Sequence, residues 1–290
     1  MIYFNLSGAQ LFLDYLAGKV SAAKVLNHPA YRTVRQHARM FSTGLTATDV
    51  QSAREGAPTN FYGLENWAKN IPGIQIFLET LRVNQAAWAG LVQDALQAFF
   101  IHEPLDIPIY PIIGYDKGIG LSGAACLNIN HASYLQDPFE FLAYAIHECV
   151  HVVYERYHHI PKLAKVQTPA QWKSYFKLWT QNEGYAVYVP LKFRRAHRLM
   201  NEPDYRALSD PQPAAADRHA FLELLNWLER EQPAGRDVYL ETCFGPQRLT
   251  YRVGCEIIRR IEASQGIEEA RRAFYLNSDH FMQLYVDLLA

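Results

Sequence analysis

Between Phe139 and Tyr157 two sets of residues recur at three-to-four spacing, and together they restrict how this stretch can fold. Leu142, Ile146, Cys149, Val150 and Val153 form an apolar stripe, while Glu140, Tyr144, His147, Glu148, His151 and Glu155 form a second, polar one. This period predicts an α-helix from about Pro138 to Tyr157, ended by Ile160-Pro161. A narrow His/Glu/Tyr stripe on an otherwise apolar helix suits an internal cleft better than open water. At its centre stands His147-Glu148-Cys149-Val150-His151. Helix positions four apart differ by about 40° in direction and about 6 Å in height, so the two imidazoles can converge on one ion. Two neutral imidazoles suit Zn²⁺, and a carboxylate one residue after the first can reach a water at the metal without being a ligand itself. Cys149, at a variable position of the pattern, reads as a small buried hydrophobe.

A catalytic zinc takes three protein ligands and leaves its fourth position to water, so a third ligand is needed. Glu155 lies one turn after His151 on the same stripe, but three ligands stacked along one helix form a tetrahedral face poorly. Glu183 lies 32 residues after His151, in Thr180-Gln181-Asn182-Glu183-Gly184-Tyr185-Ala186, on a helix expected from Pro169 to about Val189. A second helix packed on the first supplies the missing direction. Glu183 is therefore the favoured ligand, with Glu155 left as a partner that orients a histidine. Gly184 beside it costs helix stability of about 1 kcal/mol relative to Ala and would let two helices, or a substrate, approach closely.

The rest of the chain reads as α+β and predominantly α-helical. Residues 1–103 are expected to form a helical N-terminal subdomain, with Ser7 and Ser21 as N-caps and a break at Asn27-His28-Pro29. Breaks at Gly56-Ala57-Pro58-Thr59-Asn60 and Asn70-Ile71-Pro72-Gly73, and a long helix opened by Asn84 and running to Phe100, complete it. Residues 104–290 are expected to form the catalytic part, continuous with the first or separate from it. There Ile107 to Ile113 reads as a strand, short or at an edge because of Pro108 and Pro111; Tyr115 to Gly118 reads as a turn, and Leu121 to Asn130 as a second strand. Gly118, Gly120 and Gly123 are assigned to turns. After the helix carrying Glu183, a loop from Asn201 to Pro213 precedes helices from about Ala214 to Glu231, Gln247 to Ser264, and Ile267 to Leu289 with a break at Asn277-Ser278.

Charge and cysteine usage exclude some classes. With 28 Lys+Arg against 29 Asp+Glu the formal charge is -1, which leaves no electrostatic footprint for nucleic acid or an anionic membrane. The N-terminus lacks a basic region ahead of an apolar one, so no signal peptide is expected, and no apolar run approaches the roughly 18 residues of a membrane span. Cys126, Cys149, Cys243 and Cys255 show no Cys-x-x-Cys spacing, which suits a reducing cytoplasm.

His147-Glu148-x-x-His151 followed by Glu183 on a later helix resembles the gluzincin metallopeptidases. More narrowly, Ala145 to His151 together with Asn182-Glu183-Gly184-Tyr185-Ala186 looks like bacterial zinc-dependent peptidases catalogued as domains of unknown function, and Leu249-Thr250-Tyr251-Arg252-Val253-Gly254 is similar to their Tyr-x-x-Gly element. The motif resemblance covers about the last 180 residues. The spacer between His151 and Glu183 is longer than in thermolysin-like members, and Gly-Tyr-Ala replaces Gly-Leu-Ala. The resemblance implies a zincin-like core whose small sheet precedes the motif helix, with Zn²⁺ held by His147, His151 and Glu183. It also implies Glu148 as general base and Tyr251 as stabiliser of the tetrahedral intermediate, with Arg252 and His131 as weaker options. The expected reaction is hydrolysis of a peptide or a small amide; the alternative is a non-catalytic metal-binding or partner-binding protein on the same scaffold. By the same likeness, the strand Leu121 to Asn130 is expected either to offer an edge to an extended peptide or to serve as plain scaffold.

Overall fold

The computed structural model describes residues 1–41, 44–57, 59, 63–64, 67–230 and 233–289, excluding the side chains of 242 and 243. Pro58, Asn60 and the side chain of Cys243 thus lie outside the described residues. The chain is mostly helical with one four-stranded sheet, and it divides into two compact units, Met1–Val153 and Tyr154–Ala290. Pro104, where the catalytic part is expected to begin, falls inside the first unit.

The first unit runs β1 (Ile2–Phe4), α1 (Ser7–Leu16), α2 (Ala22–Asn27), α3 (Pro29–Met40), α4 (Ala47–Glu55), α5 (Trp67–Gln97), β2 (Ile107–Ile112), β3 (Gly118–Leu121), β4 (Ala124–Asn128) and α6 (Ala132–Gln136), and holds most of α7 (Pro138–Tyr157). Ser21 caps α2 by accepting from the Lys24 amide, and α3 starts on Pro29 after the break. Ser7 is instead the first residue of α1. The N-cap is Leu6, which has no side-chain cap, and the Ser7 amide donates to the Asn5 side-chain oxygen at 3.1 Å.

Asn84 does not open a helix either, and the Asn70 to Gly73 break is not there. α5 begins at Trp67 and runs through Pro72, and the Asn84 side chain donates to the Thr80 carbonyl one turn back. Ile74, Phe77, Leu78, Leu81, Trp88, Val92 and Leu96 are buried at helical spacing along it. Burying a side chain of that size contributes about 1.5–3 kcal/mol, enough to outweigh a proline confined to the second turn.

The sheet order is β1-β2-β4-β3, with β2 parallel to both neighbours and β3 antiparallel to β4. β2 is therefore interior, against the expectation from its prolines. Pairing with β1 spans Ile107 to Ile109 and pairing with β4 spans Ile109 to Ile112. The Ile109 carbonyl accepts from the Asn5 amide on the β1 side, and the Ile112 carbonyl accepts from the Ile129 amide on the β4 side. By strand alternation the Pro108 nitrogen faces β4 before that ladder begins, and the Pro111 nitrogen faces β1 after that ladder has ended. Neither proline removes a hydrogen bond the sheet uses. Leu121 to Asn130 is likewise not one strand: Ser122 and Gly123, at φ 53° and 77°, form the tight turn between β3 and β4. β4 is interior, so the free edge beside it belongs to β3.

The second unit holds the end of α7, then α8 (Pro169–Tyr188), α9 (Leu191–Ala196), α10 (Pro203–Ser209), α11 (Pro211–Glu229), α12 (Arg236–Phe244), α13 (Leu249–Gln265), α14 (Ile267–Phe274) and α15 (Ser278–Tyr285). The expected loop from Asn201 to Pro213 thus contains a helix, α10. α8 opens on a capping box between Thr168 and Gln171 with Pro169 at its first position. Its buried side chains tie the unit together: Gln181 accepts from the Tyr154 hydroxyl and donates to the carbonyls of Ala273 and Leu276, while the Tyr185 hydroxyl donates to the Ala270 carbonyl. Among the described residues, no helix is long and apolar enough to cross a membrane.

Candidate metal centre

On α7, His147 and His151 stand one turn apart and buried, and their Nε2 atoms lie 3.1 Å from each other. Two histidines that turn the same ring nitrogen to one point fit a shared ion. Tetrahedral ligation at a Zn–N distance of about 2.1 Å sets two ligand nitrogens about 3.4 Å apart, close to the spacing here. Tyr144, one turn earlier, brings its ring within 5.7 Å of the His147 ring, and the Lys117 ammonium sits 3.6 Å from the Tyr144 ring centroid. Cys149 is fully buried.

Glu148 is buried at 4% exposure, and β3 lies directly against it. A Cβ on Gly118 would come 2.5 Å from Glu148 Oε1, and one on Gly120 would come 2.0 Å from the Glu148 carbonyl oxygen and 2.9 Å from the His151 Cβ. These two glycines are strand residues whose missing side chains let β3 lie flush on the motif helix. Only Gly123, at φ 77°, fits the assignment to a turn. Alternation at period two, Gly118-Ile119-Gly120, is the sequence sign of a strand face without side chains.

On α8, Glu183 is 5% exposed within a run, Thr180 to Tyr188, that is buried throughout. Gly184 beside it serves the approach of a second helix: its Cβ would lie 2.5 Å from the Gly254 carbonyl carbon of α13, and a Cβ on Gly254 would lie 2.1 Å from the Thr180 carbonyl oxygen. Tyr251 lies one turn before Gly254 on α13, the helix that meets α8 through Gly254.

Arg248, at the start of α13, packs its guanidinium 3.7 Å from the Tyr251 ring centroid and donates from Nε to Asp204 Oδ2 at 2.7 Å. Burial opposes its charge, but the charges of Tyr251, Asp204 and Glu183 and the Asp204 hydrogen bond outweigh this and hold its pKa above the ordinary arginine value. The sequence reading missed Arg248. Its backbone is left-handed, φ 49°, a conformation uncommon outside glycine, and sequence gives no sign of that. Arg252 is engaged elsewhere, donating from Nε to Asp204 and from Nη1 to Asp217. His131 caps α6 through Nδ1, which accepts from the Ser133 amide, and its pKa is lowered by burial and by Lys117.

Among the described residues, one group of His, Cys, Asp and Glu side chains could hold a metal ion: a ligand atom from each of His147, His151 and Glu183 lies within 4.8 Å of the other two. Glu155 is not part of it.

No family model matches the chain, and neither does any curated protein or solved structure.

Proposed function

We propose that this chain is a zinc-dependent hydrolase of the gluzincin type, with a zincin-like core, that cleaves peptide or amide bonds. The reading rests on His147, His151 and Glu183 offering two nitrogens and one carboxylate oxygen within 4.8 Å of one another, with the non-ligating Glu148 beside the first histidine. Two neutral imidazoles and one carboxylate leave a fourth position open, the donor set of a catalytic rather than a structural zinc. Bound there, the ion would supply Lewis acidity toward a carbonyl oxygen and toward water.

The other roles belong to the chain's own side chains. Glu148 takes a proton from the attacking water and passes it to the leaving amine. Its burial beside Gly118 and Gly120 keeps bulk water from competing for that proton. Tyr251 donates its hydroxyl to the oxygen that becomes negative as the carbonyl is attacked.

The ligand assignment predicts an order of losses. Purified protein retains about one zinc per chain, His151→Ala and Glu183→Ala each weaken zinc binding by about 100-fold or more, and Glu155→Ala changes it by less than about 10-fold. Competition with a chelating dye measures all three. Equal retention by the Glu183→Ala and wild-type proteins would remove Glu183 from the site, and absence of zinc from the wild type would end the hydrolase reading.

A further inference from the structure

Arg248 offers more hydrogen-bonding capacity than its neighbours use. A guanidinium carries five N–H donors in a planar fork, and Arg248 spends Nε on Asp204 and one face on the Tyr251 ring. Its Nη atoms donate to nothing among the described residues, and about a third of the side chain, 34%, stays exposed. Asp204 does not depend on it alone, because Arg252 donates to the other oxygen of the same carboxylate. Asp204 and Tyr251 thus hold the guanidinium from one edge and one face and leave the fork presented. Gly254, less than two turns after Arg248 on α13, meets Gly184, the neighbour of Glu183, so the helix that carries the fork packs on the segment that carries the ligand the zinc reading assigns.

We infer that Arg248 anchors the free C-terminal carboxylate of a peptide substrate, which makes the chain a carboxypeptidase. This rests on the zinc-hydrolase reading of the same site. A planar carboxylate is the partner that a presented guanidinium fork matches in two parallel hydrogen bonds. In a peptide the terminal carboxyl carbon is two bonds from the nitrogen of the last peptide bond. A cation that fixes the first therefore fixes which bond is presented. Water adds across that bond: its oxygen enters the new carboxylate, its protons end on the amine of the released amino acid, and no electron is exchanged.

The test compares N-acetyl-Phe-Leu with its C-terminal amide on the full-length protein. The zinc-loaded wild type should favour the acid by roughly 10- to 100-fold in kcat/KM, mostly through KM. Arg248→Gln should bring that ratio close to one, and Arg248→Lys, which keeps charge without the fork, should restore part of it. Calorimetry reads the same preference as binding, with the zinc-free wild type favouring the acid. That arm needs neither turnover nor a folded variant, and it separates Arg248 from carboxylate binding to the metal. Acid and amide bound equally by the zinc-free protein overturn the anchor. So does a loss of kcat on both substrates alike in Arg248→Gln, which would reassign the side chain to the developing oxyanion. Failure of the underlying reading looks different: the wild type retains no zinc, and the zinc-free calorimetry still decides Arg248.

Discussion

Glu148→Gln is expected to lower kcat for peptide hydrolysis by about 10²- to 10⁴-fold while zinc stays at about one per chain. The substitution preserves the shape of the side chain and removes its ability to take a proton. Shape matters at this position, because Glu148 Oε1 lies where a side chain on Gly118 would otherwise stand, with no room for a larger group. His151→Ala should also abolish turnover, but by losing the metal, so the two variants separate the base from the ligands. Metal analysis and a peptide-hydrolysis assay on the same preparation measure both quantities. A Gln variant that turns over at the wild-type rate would show that the carboxylate does not carry the proton. One that loses its zinc would make Glu148 a ligand.

How much of this was readable from sequence differs between helices and sheet. α7 and α8 were found nearly to the residue, because each has its punctuation in the chain: Pro138 and the end before Ile160-Pro161 for one, Thr168-Pro169 and Pro190 for the other. His147, His151 and Glu183 followed from those two helices, since residue spacing on a helix is a spatial statement. α5 was cut short because Pro72 and Gly73 read as a break, whereas seven buried apolar residues along the helix hold it together. The sheet was read only in part, for a different reason: β2 stands where a strand was expected, but β1 and the turn at Ser122-Gly123 were missed. β1 is three residues long, and β2 carries two prolines whose harmlessness depends on where its neighbours start and stop. That information is tertiary and has no local signature. Arg248 was hidden in the same way, for its orientation is set by Asp204, 44 residues earlier, and by a left-handed backbone at a residue type that seldom adopts one.

Gly184→Ala should lower the melting temperature by roughly 5–15 °C and weaken zinc binding with it, although the same exchange elsewhere in a helix raises stability. Alanine is the better helix former by about 1 kcal/mol, so Gly90→Ala on α5, where an added Cβ meets nothing within 4 Å, should be neutral or stabilising. At Gly184 the added carbon falls 2.5 Å from one backbone atom of Gly254 and 2.7 Å from another. Neither can rotate away, so α8 and α13 must separate, at a cost of about 2–4 kcal/mol. Glu183 is the adjacent residue, and its carboxylate moves with the helix, which couples the packing loss to metal affinity. Thermal unfolding and zinc competition on both variants check the contrast in sign. Gly254→Ala attacks the same contact from the other side, with its Cβ 2.1 Å from the Thr180 carbonyl oxygen. The double substitution should therefore cost less than the sum of the two singles, because helices already parted by one methyl group have room for the second. Additive losses would mean that the two glycines serve separate contacts and that the helix crossing does not position Glu183.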